Sequence, residues 1–178
     1  VGVIGKIFKG RQSSDKSNQA EYDSSGKEYE GQKNEGEAAP TQEYVELRLS
    51  IHPEEDARTS DMERNQLEQE LKDCKSIKKN DINVSGIYAF RTDEGLEVSF
   101  FFRNGLERPV MLKETPLAVI SKDGKLLARQ EFDLTDMGEV EGLSARPWRV
   151  HFDPKNVFSE NVAPDDWAII FDIKSKEK

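Results

Sequence analysis

Two histidines and one cysteine are the side chains of this 178-residue chain with the strongest claim to reactivity. Imidazole is the usual general base near neutral pH and a common metal ligand. His52 closes an alternating apolar run beside Pro53, and His151 falls on the strand face opposite Trp148, Val150 and Phe152, so neither sits in a His/Cys cluster with metal-ligand spacing. Cys74 is followed by Lys75, the kind of cation that activates a thiol, yet no histidine lies near it in sequence to act as a base. A small packed hydrophobe accounts for it.

The carboxylates fall into Glu54, Glu55 and Asp56, then Asp133 and Asp136, then Asp165 and Asp166. Acid–base work by paired carboxyls needs opposed groups with separated pKa values, whereas these are adjacent or turn-like, as loop caps and solvated surface are. Asp133, Asp136 and Glu139 lack the alternating ligand spacing of a calcium loop, so no metal is implied. Ser121, Ser144 and Ser159 lack the GxSxG setting of a nucleophile elbow. Gly2, Gly5 and Gly10 neither follow a strand nor open a helix, so no nucleotide loop and no cofactor is implied. The inventory describes a protein that binds rather than one that turns over a substrate.

Charge narrows the partners. The formal charge is -9 and the pI about 4.9, which argues against nucleic acid. Residues 1–42 hold six basic and seven acidic side chains, so -8 of that charge falls on residues 43–178. Apolar residues make up 35% and charged residues 34%, with a mean hydropathy of -0.78, so part of the chain is too polar to pack. From Lys9 to Gln42 there is no apolar period, only Ser, Asn, Gln, Gly, Lys and Glu around Tyr22 and Tyr29, and residues 1–42 are expected to be a disordered arm. Its tip interleaves Ile4, Ile7 and Phe8 with Lys6 and Lys9, a pattern suited to weak, reversible contact with an anionic membrane surface. No apolar run reaches the length of a bilayer span, and Val1–Gly10 has no signal-peptide pattern.

The elements expected to carry any site begin at Tyr44. Val45, Leu47, Leu49 and Ile51 alternate with Glu46, Arg48 and Ser50, the period of a half-buried strand that Pro53 ends. Residues 61–74 form the one helical stretch, capped by Ser60 or Asp61, with a thin apolar stripe of Met62, Leu67, Leu71 and Cys74 that suits a helix lying across a sheet. Segments 84–91 and 96–103 flank the turn TDEG; 117–121 and 125–132 flank KDG; 148–152 and 167–173 supply further strands. Phe101 interrupts the polar face of Glu97, Ser99 and Arg103, so it is either covered by a loop or forms a contact spot. Seven or eight short strands without long alternating helices predict an all-β fold, an immunoglobulin-like antiparallel β-sandwich over residues 43–178 with one inserted short helix. A small barrel is the second solution.

Four stretches carry a family likeness: DINVSGIYAF at 81–90, FRNGLERPV at 102–110, LLARQEFDLTDMGEVEGLSARPW at 126–148 and DDWAIIFDI at 165–173. Over residues 81–173 the chain resembles the SLAP domain of S-layer assembly proteins that accompany the accessory Sec system of Bacillus-type Gram-positive bacteria. The resemblance implies a non-enzymatic protein with no catalytic residues. It would act in export or assembly of surface-layer proteins beside an accessory SecA ATPase, on the cytoplasmic side of the membrane. A polar arm with an apolar and basic tip is similar to the family's layout. The chain departs from that picture in being short, with one clear copy of the motif region.

The same residues have a physical reading. Pro147 biases Arg146 away from helix and starts a strand that lays Trp148 on the core, with Phe132, Leu134 and Trp167 as further anchors. Phe101, Arg103, Asn104, Asp133 and Arg146 are the candidates for a protein-binding rim, an aromatic beside arginine being a common hot-spot composition. The other class of function open to such a domain is a cell-surface module that binds a polymer or protein.

If residues 9–42 have no packed structure, hydrogen exchange shows no protection there, and a chain beginning at Thr41 melts within a degree or two of the full chain. Strong protection in the arm, or a loss of several degrees on truncation, contradicts the assignment.

Overall fold

The structure, a computed structural model, describes residues 41–172. The expected arm up to residue 40, with Ile4, Lys6, Ile7, Phe8 and Lys9 of its tip, lies outside the described residues, as does Ile173.

The run from Tyr44 to Ile51, expected as one strand, folds as two short ones, β1 (Tyr44–Val45) and β2 (Arg48–Leu49). The alternation survives, with Val45, Leu47 and Leu49 half-buried while Tyr44, Glu46 and Arg48 are exposed. Periodicity records faces; the break arises because the two halves pair with different strands. A one-turn helix that the sequence reading missed follows, α1 (Pro53–Asp56), with Pro53 in its first turn and His52 as its cap, the Glu54 amide donating to Nδ1 at 3.2 Å. Helix α2 (Asp61–Asp73) begins in a capping box. The Glu63 amide donates to Ser60 Oγ at 3.2 Å, and the Ser60 amide (2.8 Å) and hydroxyl (2.9 Å) donate to Glu63 Oε2 and hold that carboxyl below its ordinary pKa. Cys74 ends the helix in extended conformation and leads to β3 (Ile77–Lys78), which pairs antiparallel with β1.

The long hairpin is β4 (Ile82–Thr92) with β5 (Gly95–Asn104). Gly95 has φ +135°, and a Cβ there would lie 2.1 Å from the Phe152 carbonyl oxygen, so turn and neighbouring strand both require glycine. The register slips between Gly86 and Tyr88, where Ile87 makes a bulge. After β6 (Val110–Met111) comes the second hairpin, β7 (Glu114–Ile120) with β8 (Leu126–Asp133), turned at Asp123 and Gly124, the glycine at φ +86°. A 3-10 turn, β9 (Glu139–Val140), β10 (Ser144–Phe152) and β11 (Ala168–Phe171) complete the order.

Two larger sheets result, β2-β10-β5-β4 and β11-β7-β8, with the small pairs β1-β3 and β6-β9 beside them. The strands pair mostly antiparallel, as their turns predict, except β2, which runs parallel to β10 and makes the first sheet mixed. β2 and β10 are separated by all the elements from α1 to β9 rather than joined by a tight turn, so nothing forces them to run antiparallel.

One apolar cluster joins both sheets. Leu96, Val98, Phe100, Phe102, Val150 and Phe152 come from the first; Leu117, Val119, Leu127, Ala128 and Ile169 come from the second. Leu134 and Trp167 are buried anchors as expected, while Phe132, Pro147 and Trp148 are half-buried. Phe132 meets Phe152 edge to face with centroids 4.9 Å apart, and Trp148 packs against the cluster and the His52 ring at 5.9 Å.

The six-membered ring of Trp167 covers Gly86, where a Cβ would fall 2.4 Å from Cη2. Gly86→Ala is therefore expected to destabilise by about 1–3 kcal/mol through overpacking, and Trp167→Ala by about 3–5 kcal/mol through the cavity left. In urea titrations the pair should be strongly non-additive, since removing the indole makes room for the new methyl. Simple additivity would contradict this contact.

Candidate functional site

Three residues expected on a binding rim are interior hubs. Asn104 ends β5 with no exposed surface. Its amide nitrogen donates to the carbonyls of Arg108 (2.9 Å), Val140 (3.1 Å) and Glu141 (3.1 Å), and its Oδ1 accepts from the Leu106 amide (3.0 Å). Arg146, 6% exposed, reaches the Ser50 carbonyl (3.0 Å) through Nε and Ser50 Oγ (2.9 Å) through Nη2. Its Nη1 donates to the carbonyls of Met137 (2.8 Å) and Glu139 (3.0 Å). Arg103, 5% exposed, donates from Nε to Asn83 Oδ1 at 2.8 Å and from Nη1 to the Lys75 carbonyl at 2.5 Å. Burial pushes both guanidinium groups down from their ordinary pKa; at Arg103 the Cys74 thiol pulls the other way. Among the described residues neither arginine has a carboxylate within ion-pair distance.

The exposed-rim reading also fails at Phe101, which has no exposed surface. Its register partners are Ser85 on β4 and Pro147 on β10. The Cys74 sulfur, at the end of α2, lies 3.4 Å from Ser85 Oγ. The helix end and the Lys75 carbonyl thus lie on the second face of the sheet, and Phe101 is covered there rather than offered, while Phe90, opposite Glu97 on the same face, stays exposed. Asp133 alone of the five is exposed. Its Oδ1 accepts from the Thr135 amide at 3.0 Å and from the Thr135 hydroxyl, and these bonds lower its pKa. It caps the turn after β8.

The histidines are engaged apart from each other, His52 as a cap against Trp148 and His151 through Nε2 with the Glu94 carbonyl at 2.8 Å. No group of three or more His, Cys, Asp or Glu side chains among the described residues could hold a metal ion.

An open concave feature among the described residues takes in Arg103 alone of the expected site residues. A groove of about 600 Å³ is lined by the segment Val45–Leu49, by Glu68, Leu71 and Lys72 of helix α2, and by residues 74–77. Leu47, Leu49 and Leu71 give it apolar walls, and Arg103 lines it from beneath. Two signals for it were in the sequence. The thin stripe of α2 and the alternating face of residues 45–49 are each too narrow to be a core, and they face a common space.

The result is a mostly-β domain whose polar motif residues hold its own loops and which leaves an amphipathic groove open. The family model described as the SLAP domain matches residues 49–173, from the end of β2 past β11. The chain belongs to the SLAP-domain family of accessory Sec systems, and its role is accordingly non-enzymatic, protein binding in the export and assembly of surface-layer proteins. No curated protein and no solved structure matches the chain.

Because Asn104 and Arg146 serve buried carbonyls, Asn104→Ala and Arg146→Met should destabilise by about 1–3 kcal/mol for each acceptor left without a donor. Urea melts check this, and any loss of partner binding in these variants should follow the loss of folded protein. A variant that keeps its midpoint but loses binding would return the residue to the surface.

Proposed function

We propose that the folded domain is an adaptor of the accessory secretion route, binding the accessory SecA ATPase or its surface-layer cargo at the cytoplasmic face of the membrane. The observation that carries this reading is the SLAP match over residues 49–173, which takes in both larger sheets rather than one loop or hairpin. The shared core of those sheets supports the finer architecture proposed here, an immunoglobulin-like sandwich with residues 53–76 inserted between its first strand and the rest. Residues 1–42 act as a tether in this reading. Its tip, with Ile4, Ile7 and Phe8 beside Lys6 and Lys9, adds weak affinity for anionic lipid.

The expected outcome is that the full chain, tagged and purified under native conditions, retains the purified accessory ATPase or a surface-layer protein in a pull-down. A deletion strain should lose surface-layer export and regain it on complementation. Normal export in the deletion strain would remove the role, and fractionation to the outer surface would replace the cytoplasmic site with a surface module.

A further inference from the structure

We infer that the groove between residues 45–49 and helix α2 is the docking site for an extended acidic segment of a partner protein, an apolar strand bearing a carboxylate that pairs with Arg103. The inference rests on the protein-binding reading above and specifies the chemistry of the bound segment.

The comparison of the two buried arginines supplies the first argument. All three nitrogens of Arg146 donate to interior oxygens. Arg103 donates to Asn83 and to the Lys75 carbonyl and also bonds the Cys74 sulfur, all of them weaker partners than a carboxylate, while lining an open groove. A desolvated guanidinium with no carboxylate partner among the described residues is a cation prepared for a planar anion, since its fork matches a carboxylate in two-point contact.

Charge supplies the second. The whole chain carries -9, yet the groove is lined by Arg48, Lys72, Lys75 and Arg103 against Glu46 and Glu68. A locally basic cleft in an acidic protein selects an acidic ligand and steers its approach.

Geometry supplies the third. β2 stands at the margin of its sheet, with β10 its one strand partner among the described residues, and both β2 residues, Arg48 and Leu49, line the groove. An extended chain can be added there as strands are added to open sheet edges, with alternate side chains meeting Val45, Leu47 and Leu49. Apolar walls of this kind contribute nothing to a free phosphate but do favour an apolar peptide.

The test uses fluorescein-labelled peptides of alternating valine and threonine in three forms: one central aspartate with an amidated end, asparagine in its place with an amidated end, and asparagine with a free terminal carboxylate. Fluorescence anisotropy with the full chain should show the aspartate peptide binding about 30-fold more tightly than the neutral one, as pairing of a buried charge requires. The third peptide tells whether a chain terminus serves as well. Arg103→Gln should abolish the preference, and Arg103→Lys should restore part of it. Because Arg103 is interior, the double variant Lys72→Glu, Lys75→Glu provides a second reading at exposed positions; it should weaken the aspartate peptide at least tenfold with an unchanged melting temperature.

Equal affinity for the charged and neutral peptides, no binding at millimolar concentration, or equally strong displacement by inorganic phosphate would overturn the inference. The pull-down with the accessory ATPase and surface-layer cargo separates it from the broader reading. Capture by both the native chain and the double variant leaves protein binding standing and removes the groove. Failure of the native chain to capture either protein removes the named partners, and the peptide preference still decides the groove.

Discussion

Strand β5 is enclosed on both faces, and the rest of the domain answers to that constraint. Leu96, Val98, Phe100 and Phe102 enter the apolar cluster to which both larger sheets contribute, while Ser99, Phe101 and Arg103 on the other side are also buried. A sheet that faces water on one side needs no polar arrangement there; a sheet covered on both must satisfy every donor internally. Arg103 and Asn104 do so by reaching backbone carbonyls of segments that have no strand partner of their own at those points. The polar side chains at the end of β5 therefore fix the loops around it as firmly as the apolar ones fix the opposite sheet.

The cover on the second face comes from residues 45–77, and its attachment is mainly polar. Helix α2 has no buried residue; it is joined through Cys74 against Ser85 and through the Lys75 carbonyl on Arg103. β2 is bound by the amides of Arg48 and Ser50 to the carbonyls of Leu143 and Ala145, and by Arg146 to Ser50. Burial of a leucine-rich stripe would contribute about 1.5–3 kcal/mol per side chain, and α2 has only a half-buried one. Under native conditions such an element opens before the sheets do.

Much of the sheet framework was legible because strand faces and turns are local properties. Leu96, Val98, Phe100 and Phe102 share a face by period alone, and Asp123-Gly124 and the Gly95 turn announce their hairpins. Coverage of the second face was not legible, since alternation tells which residues lie together and not whether another element lies on them. Phe101 was the local sign of it. The hubs were misread for a similar reason: polar residues at strand ends are commonly exposed, and Arg146 meets its Ser50 acceptors 96 positions away. The groove was missed because its two walls come from segments whose apolar stripes look incomplete when each is read by itself.

An incomplete stripe has a physical consequence that a complete one lacks. A helix sealed by a full apolar face is bound too firmly to adjust, whereas α2 leaves Leu71 beside an open space and the Arg103 guanidinium without a carboxylate partner among the described residues. Ordering a loosely held wall against a ligand costs conformational entropy, so high affinity requires a ligand that brings the missing apolar contacts and the missing counter-charge together. A neutral apolar strand would leave Arg103 unpaired in a drier setting, and a small anion would leave Leu47, Leu49 and Leu71 uncovered. Selectivity at this groove follows from the requirement for both, a discrimination made by what each wrong ligand leaves unsatisfied.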